Sequence, residues 1–167
     1  MYTTINDFAA EWESEARLTQ KLLDGLTDES LPQPIGPGRR TLGQLAWHLV
    51  TSVRYMSSLG LNIEGSDEAD DGSTPESAAR IAEQYRKLSL SLSQAVRAKW
   101  NDDSLREKQT IMGQEWGNGD SLRFTVMHQA HHRGQLTVLV IQAGLRPPEI
   151  YGPIYDDWID KGLAPLA

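Results

Sequence analysis

Between Thr74 and Trp100 the chain reads TPESAARIAEQYRKLSLSLSQAVRAKW. Ile81, Tyr85, Leu88, Leu92, Ala95, Val96 and Trp100 recur at helical spacing with polar residues between them, the pattern of a helix that buries one face. Thr74 is placed to cap it. Pro75 suits the first helical position, where no N–H is needed, and Glu76 complements the positive end of the dipole. At about 1.5 Å per residue this helix is roughly 39 Å long, and its apolar stripe requires partners.

The flanking sequence supplies them. From Thr4 to Leu26, Ile5, Phe8, Trp12, Ala16, Leu22, Leu23 and Leu26 form a second stripe, with Thr3 or Thr4 as cap and Asp7 in the first turn. Three prolines and two glycines in Leu31–Gly38 make a loop. A third stripe starts at the candidate cap Thr41 and runs through Leu42, Leu45, Ala46, Leu49, Val53 and Met56 to a stop near Gly60. The connector from Asn62 to Ser73 contains Asp67, Asp70, Asp71 and Gly72. Aligning Gly72 with the glycine of a calcium loop puts Ala69 and Ala78 where oxygen ligands are required, so the connector reads as a solvated loop. Downstream, Asn101–Gly119 reads as irregular, with Thr110-Ile111-Met112 as a short strand and turns at Gly113, Gly117 and Gly119. A fourth helix is expected from Asp120 or Ser121 to Ala143, stopped by Gly144 and by Pro147-Pro148. The tail, with Tyr151, Tyr155 and Trp158, is aromatic enough to pack back and has room for one short helix. The expectation is one all-α domain over residues 1–167: an antiparallel four-helix bundle with long connections and a short packed C-terminal tail.

Composition narrows the function. At this size about 70% of the chain's surface can be buried. The 167 residues include 0 Cys, which excludes a disulfide framework, a thiolate nucleophile of the protein's own and a Cys-rich zinc site. Sixteen Lys and Arg against 23 Asp and Glu give a charge of −7, a poor match to nucleic acid. No apolar run is long enough to span a membrane, and the N-terminus lacks the regions of a secretory signal. A soluble cytoplasmic protein is expected.

Three of the 4 histidines fall in His128-Gln129-Ala130-His131-His132-Arg133-Gly134-Gln135. His128 and His132 lie one turn apart on one face. His131 is turned about 60° from His128 and about 100° from His132, so it reads as a flanking residue. The fourth, His48, sits at the edge of the Leu42–Met56 stripe. If that helix and the fourth are neighbours, three imidazoles meet. A divalent ion there keeps a position for water or substrate and its full charge. Zinc is the easiest assignment; nickel, iron and copper also accept imidazole. The plainer reading, surface or core histidines with no ion, stands beside it. Gln129 occupies the place of a metalloprotease's glutamate base, which excludes that chemistry, and no Glu stands three residues before any His, as a di-iron bundle requires.

Thr41-Leu42-Gly43-Gln44-Leu45-Ala46-Trp47-His48-Leu49 together with His128–Gln135 resembles the DinB family, also called DinB/YfiT-like metalloenzymes. Arg146-Pro147-Pro148 leading into Tyr151-Gly152-Pro153 extends the likeness to the tail. The resemblance implies a four-helix bundle, often a homodimer, and a divalent metal, often nickel or zinc, on His48, His128 and His132. It also implies a small-molecule substrate. Relatives include S-transferases that use a low-molecular-weight thiol such as bacillithiol or mycothiol, and a mycothiol-dependent maleylpyruvate isomerase. A metal-dependent transferase or hydrolase is therefore the leading expectation. A non-catalytic metal- or ligand-binding bundle is the alternative, and a helical interaction module with incidental histidines is a third.

Other residues carry weaker expectations. Gln44 and Tyr55 share the His48 face; either lines a cavity or packs. Gln135 suits a hydrogen bond to His132. Arg133 either binds an anion or, the favoured reading, pairs with a tail carboxylate such as Asp156 or Asp157. Gly134, which costs about 1 kcal/mol inside a helix, implies close approach of another segment. Trp116 either walls the site's mouth or covers the core.

Overall fold

Thr4, Thr41 and Ser77 begin three long helices in the same way. Each hydroxyl accepts a first-turn N–H, from Asp7 at 3.1 Å, Gln44 at 3.2 Å and Arg80 at 3.4 Å, satisfying a donor the helix cannot use. In the computed structural model, which describes residues 2–65, 73–111 and 113–165, these helices are α1 (Ile5–Asp24), α2 (Leu42–Ser52) and α3 (Ala78–Lys99). A hairpin of β1 (Lys108–Ile111) and β2 (Gln114–Gly117), then α4 (Asn118–Gln142) and the short α5 (Tyr155–Asp160), complete the order. The calcium reading of Asp67, Asp70, Asp71 and Gly72, and the Met112 end of the expected strand, lie outside the described residues.

Four boundaries differ from the sequence reading, each for a physical reason. Helix α3 starts after Thr74 and Pro75, because Asp28 reaches across from the loop after α1 and accepts the Ala78 N–H at 2.7 Å. Helix α2 stops at Ser52, and the stretch Val53–Leu59 continues as 3₁₀ turns to Gly60 (φ 80°). There the Leu49 carbonyl accepts the Ser52 hydroxyl at 3.0 Å and the Gln129 amide at 2.9 Å, drawing it toward side-chain donors. Helix α4 begins at Asn118, which is tied to the preceding loop by N–H to Glu107 O at 2.9 Å and by Nδ2 to Ser104 O at 3.0 Å. The expected single strand is a two-stranded antiparallel hairpin, Lys108 opposite Gly117 and Ile111 opposite Gln114, turning at Gly113 (φ 79°).

Helix α1 packs on α3 and α4, and α2 packs on the same two. Consecutive helices α1 and α2, and again α3 and α4, therefore face each other across the bundle's diagonal. That wiring lengthens the α1–α2 and α3–α4 connections, each of which joins helices on opposite corners of the bundle. Phe8, Trp12, Leu45, Leu49, Met56, Ile81, Tyr85, Leu88 and Leu122 fill the interior at 1% exposure or less. Trp12 Nε1 donates to Ser89 O at 2.9 Å, so the indole buries without an orphaned donor. Among the described residues no helix is long and apolar enough to cross a membrane.

A buried ion pair joins α1, α4 and the tail. Arg133, 1% exposed, donates to Glu15 O at 3.0 Å and Thr19 Oγ1 at 2.9 Å, and also to the Glu15 carboxylate and the Tyr151 hydroxyl. The pairing is structural, as expected, but its partner is Glu15. Asp157 and Asp160 instead hold Arg146, at 2.7 and 2.8 Å, because the Arg133 face of α4 turns toward α1. Gly134 departs from expectation too: a Cβ built there meets nothing within 4 Å among the described residues, so none of them makes the close contact expected.

Replacing Arg133 by Met leaves the Glu15 carboxylate largely buried without its cation. A loss of about 3–5 kcal/mol is expected, read from the urea midpoint; an unchanged midpoint removes the pair from the fold's supports.

Candidate metal centre

The site is assembled by the contact between α2 and α4. Gln129, fully buried, donates its amide to Leu49 O at 2.9 Å and to Ser52 Oγ at 3.2 Å. One turn below, the Tyr55 hydroxyl donates to Ser121 O at 2.7 Å and meets Thr125 Oγ1 at 2.8 Å. These bonds set the rotation of the two helices. His48 on α2 then faces His128 and His132 on α4.

The three histidines converge. His128 Nε2 lies 3.3 Å from His48 Nε2 and 3.2 Å from His132 Nε2, and the three candidate ligand atoms all lie within 4.8 Å of one another. A tetrahedral ion with metal–nitrogen distances of about 2.0–2.1 Å spaces its ligands by roughly 3.3–3.4 Å. The donor set therefore fits one divalent ion. His132 Nδ1 sits 2.7 Å from Gln135 Oε1. An amide oxygen only accepts, so Nδ1 carries the proton and Nε2 turns its lone pair inward. Gln135 thus has the role its position suggested.

Electrostatics favour the neutral, ligating form. Burial is the first cause that pushes His48 and His128 down to about 4 from an ordinary 6.5, with the facing imidazoles and the Arg40 guanidinium adding to it. His132 is lowered as well, again first by burial, and the Gln135 hydrogen bond opposes the shift.

The remaining expectations divide. His131 is exposed, its ring 4.8 Å from that of His132, and is not in the converging group. Tyr55 packs, but its hydroxyl bonds α4 rather than reaching water. Gln44 is exposed, and its Oε1 accepts the Thr41 N–H at 3.0 Å, closing a capping box. The pattern Thr-x-x-Gln was there to be read. Trp116 reaches the centre through a residue the sequence reading passed over. Its ring meets Phe124 at 5.5 Å, and Phe124 meets His128 at 5.6 Å. The signal was spacing: Phe124 stands one turn before His128. Arg40, whose charge is felt by all three imidazoles, was also missed.

The model of the DinB family matches residues 1–162. The chain belongs to the DinB family. It is 44% identical over 163 residues to the uncharacterized protein YrdA of Bacillus subtilis (strain 168), covering 98% of this chain and 97% of that one. The crystal structure of a DinB-like protein from Bacillus cereus ATCC 10987 superimposes with a TM-score of 0.85 at 45% identity, over 90% of this chain and 100% of that one. A DinB-like protein of Bacillus subtilis, YjoA, shares the fold at a TM-score of 0.65 and 16% identity, over 89% and 97% of the two chains.

Two predictions follow from this geometry. In metal-stripped protein the unfolded chain takes up protons on these histidines as pH falls through about 6.5, whereas folded His48 and His128 do so only near 4. Stability should therefore hold above pH 6.5 and decline between 6.5 and 4; a urea midpoint that stays flat over that window contradicts the geometry. Gln129→Leu removes both amide donors that seat α2 on α4. It should lower stability by about 1–3 kcal/mol and reduce the metal retained after dialysis.

Proposed function

We propose that His48, His128 and His132 hold one divalent cation, zinc or nickel, and that the chain uses it to transform a small-molecule substrate. The supporting observation is the convergence of three Nε2 atoms on one point from two helices. The bound cation would supply a concentrated positive charge that polarises a carbonyl, acidifies water or stabilises a thiolate. Gln135 holds the His132 ring in its ligating tautomer. Phe124 and Trp116 form an apolar wall beside His128. Arg40 adds positive potential for an anionic substrate group.

The finer reading is S-transfer from a low-molecular-weight thiol to an electrophile. With 0 Cys in the chain, any sulfur nucleophile must come from a co-substrate, and the positive, partly desolvated centre favours its thiolate.

The test has two arms. Protein purified without a histidine tag should carry about one zinc or nickel ion per chain, and His48→Ala, His128→Ala and His132→Ala should each abolish stoichiometric loading. Equal metal in all variants overturns the ligand set. Loaded protein is then assayed with cysteine-derived thiols and a panel of electrophiles. Full loading with no thiol-dependent rate removes the transferase reading and leaves a metal-binding bundle.

A further inference from the structure

Between α4 and tail residues 148–154 lies a cavity of about 410 Å³. Gly134 and Val138 wall it on the helix, Ile150, Pro153 and Ile154 wall it on the tail, and Arg133 contributes to its lining. None of the three converging histidines does. The tail is pinned on both sides of it. The Tyr151 hydroxyl bonds Glu15 and Arg133, and Arg146 pairs with Asp157 and Asp160. The cavity is therefore preformed, and its size and mainly apolar walls are those of a small-molecule site.

Two observations point to an occupant. The first is Gly134. Glycine is disfavoured inside a helix, and neither usual reason for it applies here. Gly134 has no left-handed φ, and a Cβ built on it meets nothing within 4 Å among the described residues. What the missing side chain leaves is room, and that room opens on the cavity. The second is Arg133. Its Nη atoms donate to Glu15, Thr19 and Tyr151, but its Nε is buried with no acceptor among the described residues. A buried donor left without a partner is costly.

We propose that the cavity binds a small uncharged ring compound, its ring over Gly134 and its carbonyl oxygen accepting from Arg133 Nε. The ring takes the space a side chain would fill, against Val138 and Ile154. Charge is disfavoured for both signs. The Arg133 cation is already met by the Glu15 carboxylate, so an anion gains little and stands beside a like charge; a cation stands beside the guanidinium. Nε is reached past the Tyr151 ring, whose centroid lies 5.0 Å from the guanidinium carbon. Tyr151 is 69% exposed, and a pivot about its hydroxyl opens the way while the tail stays anchored.

The probe is cyclohexanone, with cyclohexanecarboxylate as its anionic counterpart. Each is titrated into the full nitrogen-15-labelled chain, and the Gly134 amide and the Arg133 Nε–H are followed by nuclear magnetic resonance. With cyclohexanone both signals should shift saturably, with a dissociation constant of about 1 mM, the affinity open to so few atoms. Cyclohexanecarboxylate should bind at least tenfold more weakly. Gly134→Leu fills the room and should weaken cyclohexanone binding at least tenfold without lowering the thermal midpoint, because leucine is the better helix former. Gly134→Ala, which leaves most of the room, should still bind. Four results overturn the proposal: no saturable shift at either signal, a shift at Gly134 that spares Arg133 Nε, a carboxylate that binds as tightly as the ketone, or a folded Gly134→Leu chain that binds cyclohexanone as well as its parent.

Discussion

The carbonyl of Leu49 is the hinge on which the site turns. It accepts the Gln129 amide from the neighbouring helix at 2.9 Å and the Ser52 hydroxyl from its own at 3.0 Å. A buried amide is costly unless bonded, so Gln129 finds its partner only when α2 and α4 sit at one rotation. At that rotation His48, one residue before Leu49, faces His128, one residue before Gln129. The interaction that satisfies the N–H donors of a core amide is thus the one that brings imidazoles 80 positions apart to a separation of 3.3 Å.

Eight consecutive residues of α4 carry much of the architecture. His128 and His132 point to the centre, Gln129 to α2, Arg133 to α1 and the tail, and Gln135 back to His132, while His131 and Gly134 face outward. A helix turns about 100° per residue, so one octapeptide can serve several neighbours. The same fact makes its apolar pattern weak: polar residues sit on inward faces because each has a specific partner there. Such networks are demanding, since every unmet bond is buried.

Much of this was legible in sequence, for identifiable reasons. The stripes of α1, α2 and α3 and the caps Thr4 and Thr41 are local signals, and the structure keeps them. His128 and His132 were readable as a pair because one turn of helix fixes their relation. The start of α3 was not, because its first N–H is taken by Asp28, some 50 positions earlier. The hairpin was half-missed because its strands are held by backbone bonds and bury none of their side chains fully, so KQTI and QEWG carry no apolar alternation to detect. The Arg133 partner depended on which neighbour that helical face meets, a fact of packing. Gln129 was judged by the proton chemistry it lacks, when its amide is what matters.

The diagonal arrangement of the helices has a bearing on biosynthesis. Helices α1 and α2 emerge first from the ribosome, yet each finds its packing partners in α3 and α4. Trp12, Leu45 and Leu49 therefore stay uncovered until the C-terminal half has been made. Non-local closure of this kind slows folding and prolongs exposure of sticky surface. The histidine cluster is a late product of maturation: its three imidazoles meet only after the last long helix has docked.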